Sequence, residues 1–245
     1  EGGADIILLP LDSKEAIESI QRAVENGRIS IERINQSYNK IMMAKKELGL
    51  FDEMNHQTWN NVENNVKSAE HVKTASLIAE ESITLVKNNN SYIPIIPNKY
   101  KKITHLLLST DDDLRIRLKP FSNDVKYTHG NVSEIYVNDQ VSKIGINDII
   151  DKVKDSNLII VSMLIRIKMN KGISTIDDSH NILMNELNKL NIPIVGLSFG
   201  SPYLPEYNHF DAYLCTYGYG SITLKAASNA IFGRKNISGT LPISL

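Results

Sequence analysis

Any chemistry in this chain has to come from a short list of side chains. Two segments set a histidine among polar neighbours, YTHGN (127–131) and DDSHN (177–181). Either imidazole is of the type that serves as a general base. Asp177, Asp178 and His180 are also of the types that hold a divalent metal. Capping explains the second segment better, because Asp178 and Ser179 are typical capping residues and His180 stands at the entry to a predicted helix. Metal ligands need a convergent spacing that the segment lacks, so no metal is expected. His129, beside Gly130, reads as a surface turn. Cys215 lies in the apolar run DAYLCT, where a thiol is a buried structural side chain rather than an exposed nucleophile.

Three further segments carry glycine or basic residues of the types found at binding sites. SFGSP (198–202) lacks the Gly-x-Ser-x-Gly pattern of a nucleophile elbow, and Gly200 after a strand reads as a turn. GYGS (218–221) opens a helix but lacks the three glycines of a dinucleotide fingerprint. RIKMNKG (166–172) places Arg166, Lys168 and Lys171 in a loop after the most apolar strand, where ligand crevices of open parallel sheets lie. A solvated basic loop is the plainer reading of that segment.

The elements that would position these residues alternate. Ile6–Leu9, closed by Pro10, reads as a buried parallel strand with no obvious sheet to join. Two helices follow, one capped by Asp12 or Ser13 and ended by Gly27, the other capped by Ser30 and stopped near Gly49. Residues 52–75 are polar and read as a linker or solvated helix. Helix is predicted over 75–81 and a short strand at Ile83–Val86. NNNSYIPIIP (88–97) is a loop broken by prolines. Strands are predicted at Ile103–Leu108, Glu134–Val137, Leu158–Ile165, Pro193–Ser198 and Ala212–Thr216, with helices at 146–154, 178–190 and 221–232. Strands alternating with helices of this length predict an α/β three-layer sandwich around a mostly parallel sheet.

Composition excludes several classes of partner. The 245 residues carry 27 Lys and Arg against 28 Asp and Glu, a formal charge of −1, so nothing electrostatic favours nucleic acid or an anionic membrane. No apolar run approaches the roughly 20 residues that span a bilayer. A single cysteine excludes an internal disulfide. Since the chain opens in what reads as mid-domain, its lack of a signal segment leaves the compartment open.

Four ordered stretches resemble one family. GADIILLP with residues 16–51 resembles the end of the catalytic barrel of family-3 glycoside hydrolases. IAEESITLVKNNNSYIPI (78–95) resembles the entry to that family's second domain. Residues 194–218 and 226–245 resemble its closing segments, while 98–157 carry little recognisable pattern. The resemblance implies that 1–55 are the C-terminal remnant of a (β/α) barrel, 56–75 a linker, and 76–245 the α/β C-terminal domain.

It also implies a retaining β-glycosidase, in which a carboxylate nucleophile forms a glycosyl-enzyme and a second group acts as acid and then base. The family's nucleophile Asp and sugar-gripping Lys-His motif would both lie before Glu1. No catalytic residue is therefore expected in this chain, which alone should be inactive, and no cofactor is implied. Many β-glucosidases of the family supply the acid/base Glu from the second domain, whereas the N-acetylglucosaminidase branch uses a His–Asp pair in the barrel. The loop 166–175 contains no Glu or Asp, and Glu134 precedes a strand-like run, which favours a β-N-acetylhexosaminidase parent. A β-glucosidase parent, or a non-catalytic carbohydrate- or protein-binding module, is the alternative. Arg166, Lys168 and Asn170 are the candidates to reach the rim of the barrel pocket. The carbohydrate partner would be bound through the barrel. The resemblance favours a bacterial periplasmic or extracellular setting. The 1–55 remnant should be loosely ordered or self-associate with a neighbouring copy.

Overall fold

The computed structural model describes residues 2–51, 62, 66–109, 116–137, 140–164, 176–202 and 205–243. The chain divides into two units, 1–66 and 67–245, each described by itself.

In the first unit Asp12 caps α1 (Ser13–Glu25), its carboxylate accepting from the N–H groups of Lys14 and Glu15 at 2.8 and 3.0 Å. Ser30 caps α2 (Ile31–Glu47) in the same way through the Arg33 N–H. The strand predicted at Ile6–Leu9 does not form. A strand exists only as a hydrogen-bonded pairing, and the segment pairs with no strand among the described residues. Its four side chains are 56% to 87% exposed. What orders this segment is Asp5, whose carboxylate takes Arg33 Nη1 and Lys40 Nζ, both at 2.9 Å, and the Ser37 hydroxyl at 2.8 Å. These donors, Lys40 foremost, hold the Asp5 carboxyl down at about 2. No residue of α1 or α2 is buried, although both helices are amphipathic. An amphipathic helix is stabilised chiefly by packing its apolar stripe, and the described residues of this unit leave those stripes uncovered.

The second unit opens with α3 (Ala69–Ser82), which begins inside the stretch predicted as linker, with Ser68 as its cap. There follow β1 (Thr84–Asn88), β2 (Ile103–Ser109), α4 (Lys119–His129), β3 (Val132–Val137), α5 (Lys143–Val153), β4 (Leu158–Leu164), α6 (Asp178–Asn188), β5 (Ile194–Ser198), β6 (Ala212–Cys215) and α7 (Ser221–Ile231). The strands form one sheet in the order β1-β6-β5-β4-β2-β3, parallel except for β1, which runs antiparallel to β6 at the edge. All residues of β2 and β4 are buried, as continuous apolar runs in the middle of a parallel sheet require.

Side chains alternate between two cores. Ile103, Leu107, Ile160 and Leu197 pack with α3, α4 and α7, while Leu106, Leu108, Val161 and Met163 pack with α5 and α6. The predicted three-layer sandwich is thus the observed fold of this unit. Helix α4 was not anticipated. Pro120 stands in its first turn, where a missing N–H is harmless, and Gly130 ends it with φ +82°. At Gly196 the α5/α6 face of β5 is covered by the Phe210 ring instead of a helix, and a Cβ there would lie 2.6 Å from that ring.

Candidate functional site

In an open parallel sheet the chain can leave a crevice where successive connections turn to opposite faces, beyond the carboxyl ends of the strands. Here α4 crosses one face from β2 to β3, and α5 returns across the other to β4. The switch therefore lies between β2 and β4, whose last residues, Ser109 and Leu164, are register partners. Ligand-facing residues would come from the segments leaving those two ends, 110–115 and 165–175. Arg166, Lys168 and Asn170, the predicted rim residues, belong to the second segment and lie outside the described residues, as does Lys171.

Where the description resumes, Asp177 caps α6. Its Oδ1 accepts from the His180 N–H at 3.0 Å and the Ser179 hydroxyl at 2.7 Å, and Ser179 Oγ accepts from the Val141 N–H at 3.0 Å. Partial burial opposes ionisation of Asp177, but these donors outweigh it and hold its carboxyl below the usual range. The cap is Asp177, with Asp178 one residue inside the helix. His180 is buried, its Nδ1 3.4 Å from Asp177 Oδ2. Among the described residues no group of three His, Cys, Asp or Glu side chains is placed to hold a metal.

The other sequence candidates are scattered. His129 ends α4 instead of occupying a surface turn, and its Nε2 is 2.8 Å from the Tyr100 carbonyl. Cys215 is fully buried in β6, and burial pushes its thiol up to about 11, far from a reactive thiolate. Beside it, at the carboxyl end of β6, an open groove of about 820 Å³ runs between α3 and residues 238–242. Its lining includes Ile78, Thr216, Tyr217 and Thr223, and a single carboxylate, Glu81. Cleavage of a glycosidic bond uses two carboxyl groups in most families, and the described residues of this groove supply one.

One polar arrangement was not foreseen. His105 on β2, Ser162 on β4, Ser122 on α4 and Glu134 on β3 form a continuous chain through the core. His105 Nε2 is 2.8 Å from Ser162 Oγ, and its Nδ1 is 3.1 Å from Ser122 Oγ. Ser122 donates to Glu134, which Lys126 Nζ reaches at 2.9 Å. Burial works against the Glu134 carboxylate, but hydrogen bonds from Ser122, Tyr136 and Lys126 prevail and hold it at about 2. A serine, a histidine and a carboxylate in line resemble an activated nucleophile, with Ser122 interposed between the imidazole and the carboxylate. Here Ser162, His105 and Ser122 are all sealed from solvent, so no substrate can reach the hydroxyl. Glu134, weighed as an acid/base, is therefore a partner inside the fold. Its only sequence signal was a charged residue opening an apolar run.

No family model matches the chain. A lysosomal β-glucosidase of Dictyostelium discoideum is 28% identical over 103 residues, 42% of this chain and 12% of that protein. A solved β-glucoside phosphorylase superposes with a TM-score of 0.69 at 22% identity, covering 98% of this chain and 43% of its own. A family-3 β-N-acetylglucosaminidase from Paenibacillus sp. str. FPU-7 gives 0.63 at 17% identity, covering 94% and 42%. The chain therefore has the fold of a portion of these enzymes and spans less than half the length of the solved relatives.

Proposed function

We propose that this chain is the C-terminal portion of a retaining β-glycosidase of glycoside hydrolase family 3 that removes terminal β-linked sugars. On this reading 1–55 belong to a (β/α) barrel that carries the nucleophile, and the linker from 56 ends before α3, which opens the α/β domain. The observation that carries the proposal is the fold likeness over nearly the whole chain to β-glycoside-processing enzymes more than twice as long. The first unit supports it. The exposed Ile6–Leu9 and the unburied helices α1 and α2 are half of a hydrophobic core, as the last strand and helices of a barrel would be.

The chemistry would be a double displacement. A carboxylate attacks the anomeric carbon while an acid protonates the departing oxygen, and water then releases the sugar with retained configuration. Both groups are assigned to the barrel, which makes the isolated chain inactive. The lack of Glu and Asp in 166–175 and the engagement of Glu134 by Ser122 and Lys126 favour the branch that keeps its acid/base in the barrel, and so a β-N-acetylhexosaminide substrate. Similarity to a β-glucosidase favours a β-glucoside as the second reading.

The test is turnover of chromogenic β-N-acetylglucosaminide and β-glucoside by the purified chain and by the longer protein that contains it. Silence of the chain with hydrolysis of the first substrate by the longer protein is the expected outcome. Turnover by the chain itself would place a nucleophile within these residues and overturn the assignment.

A further inference from the structure

The polar line from Ser162 to Lys126, buried as far as Ser122 and reaching the surface at Lys126, has a direction that follows from which atoms hold protons. A carboxylate held as far down as Glu134 only accepts hydrogen bonds. Ser122 therefore spends its one hydroxyl proton on Glu134, and its oxygen can only accept from His105 Nδ1. His105 thus carries its proton on Nδ1, and its bare Nε2 accepts from the Ser162 hydroxyl. Each hydroxyl and the ring N–H of the line donates once, and the line crosses β4, β2, α4 and β3.

A second proton on His105 would disrupt this order. Nε2 would become a donor aimed at Ser162 Oγ, and the Ser162 hydroxyl would have to turn its own proton into apolar surroundings. We propose that this line is an acid-sensitive lock, holding α4 and the three strands β4, β2 and β3 together while His105 is neutral and Glu134 ionised, and releasing them when His105 takes up a proton.

The groups facing His105 support this. Among the described residues Glu134 on β3 is the carboxylate that favours a positive charge on it, and Lys126 on α4 opposes one. Ser162 and Ile160 face it from β4 on the same side of the sheet, and Phe121 lies edge-on at 5.6 Å. Asp124 of α4 is engaged instead with Ser228, Lys225 and Arg234. Burial dominates and pushes the imidazole down to about 3, against an ordinary value near 6.5.

The sign follows. A histidine with a depressed folded pKa is neutral in both states above about pH 6.5. Below that the unfolded chain binds a proton that the folded chain refuses, and stability falls until about pH 3. The test compares urea unfolding of this chain with that of His105→Asn between pH 6.5 and 4.5. Across that window the wild-type folding constant should fall about fiftyfold more than that of the variant, the slope rising to one proton's worth, tenfold per pH unit, at its acid end. Equal slopes would overturn the proposal.

Should the variant fail to fold, nitrogen-15 chemical shifts of the His105 imidazole in the wild-type chain decide. The Nδ1–H tautomer persisting below pH 5 is expected. An Nε2–H tautomer, or titration near pH 6.5, would refute the lock.

Discussion

His105 and Glu134 are register partners on the neighbouring parallel strands β2 and β3, and the hydroxyl of Ser122 bridges them from the helix that joins those strands. One connection, β2–α4–β3, thus supplies three members of a buried polar chain and lets them meet at its two ends. Buried polar groups are tolerated when each is satisfied, and removing one strands the rest.

Glu134→Gln should therefore destabilise the second unit by about 1–3 kcal/mol, since Ser122 and Lys126 lose a charged acceptor. The carboxylate's contribution is present above its unfolded pKa of about 4.5 and lost as pH falls through about 2. Urea unfolding of wild type and variant should differ most near pH 6 and converge towards pH 2. A constant difference across that window would mean that charge plays no part.

Gly196→Ala should cost about 1–3 kcal/mol by overpacking, because the new methyl would stand 2.6 Å from the Phe210 ring. That ring is stacked on Tyr213 at 5.6 Å and has little room to retreat. Phe210→Leu introduced together with it should recover part of the loss. A double-mutant cycle measures this, and strict additivity would show that the two positions are not in conflict.

Cys215 should resist thiol reagents in the native chain. Its sulfur is buried and its thiolate disfavoured, with burial raising the pKa to about 11. Modification by Ellman's reagent at pH 8 should proceed only at the rate of unfolding and become fast in urea. Immediate reaction of the folded protein would contradict the buried placement.

Arg166, Lys168 and Asn170 follow β4 at the switch point, and on the proposed function they reach the rim of a sugar pocket. Replacing all three by alanine in the longer enzyme should raise KM or shift the preference between β-N-acetylglucosaminide and β-glucoside, with kcat less affected. Unchanged kinetics on both substrates would remove them from the rim.

Local signals were legible without coordinates. Asp12 or Ser13, and Ser30, marked the helix starts, of which Asp12 and Ser30 are the caps, and the apolar runs around 103, 158, 194 and 212 marked the parallel strands. Such features depend on near neighbours in sequence, through capping, periodicity and continuous burial. Helix α4 escaped notice because its apolar contacts, Phe121 and Val125, are few among polar residues.

Ile6–Leu9 reads as a strand by composition, yet strand formation needs a partner, and its unit offers none among the described residues. The polar line was illegible for a related reason. Ser162 lies 57 residues from His105, and which face of the sheet each side chain takes depends on register. Residue types and spacing determined the α/β class, the caps and the inertness of Cys215. Tertiary structure alone decided that His105, Ser122, Glu134 and Ser162 meet, because strand order and register, not sequence proximity, place side chains on one face.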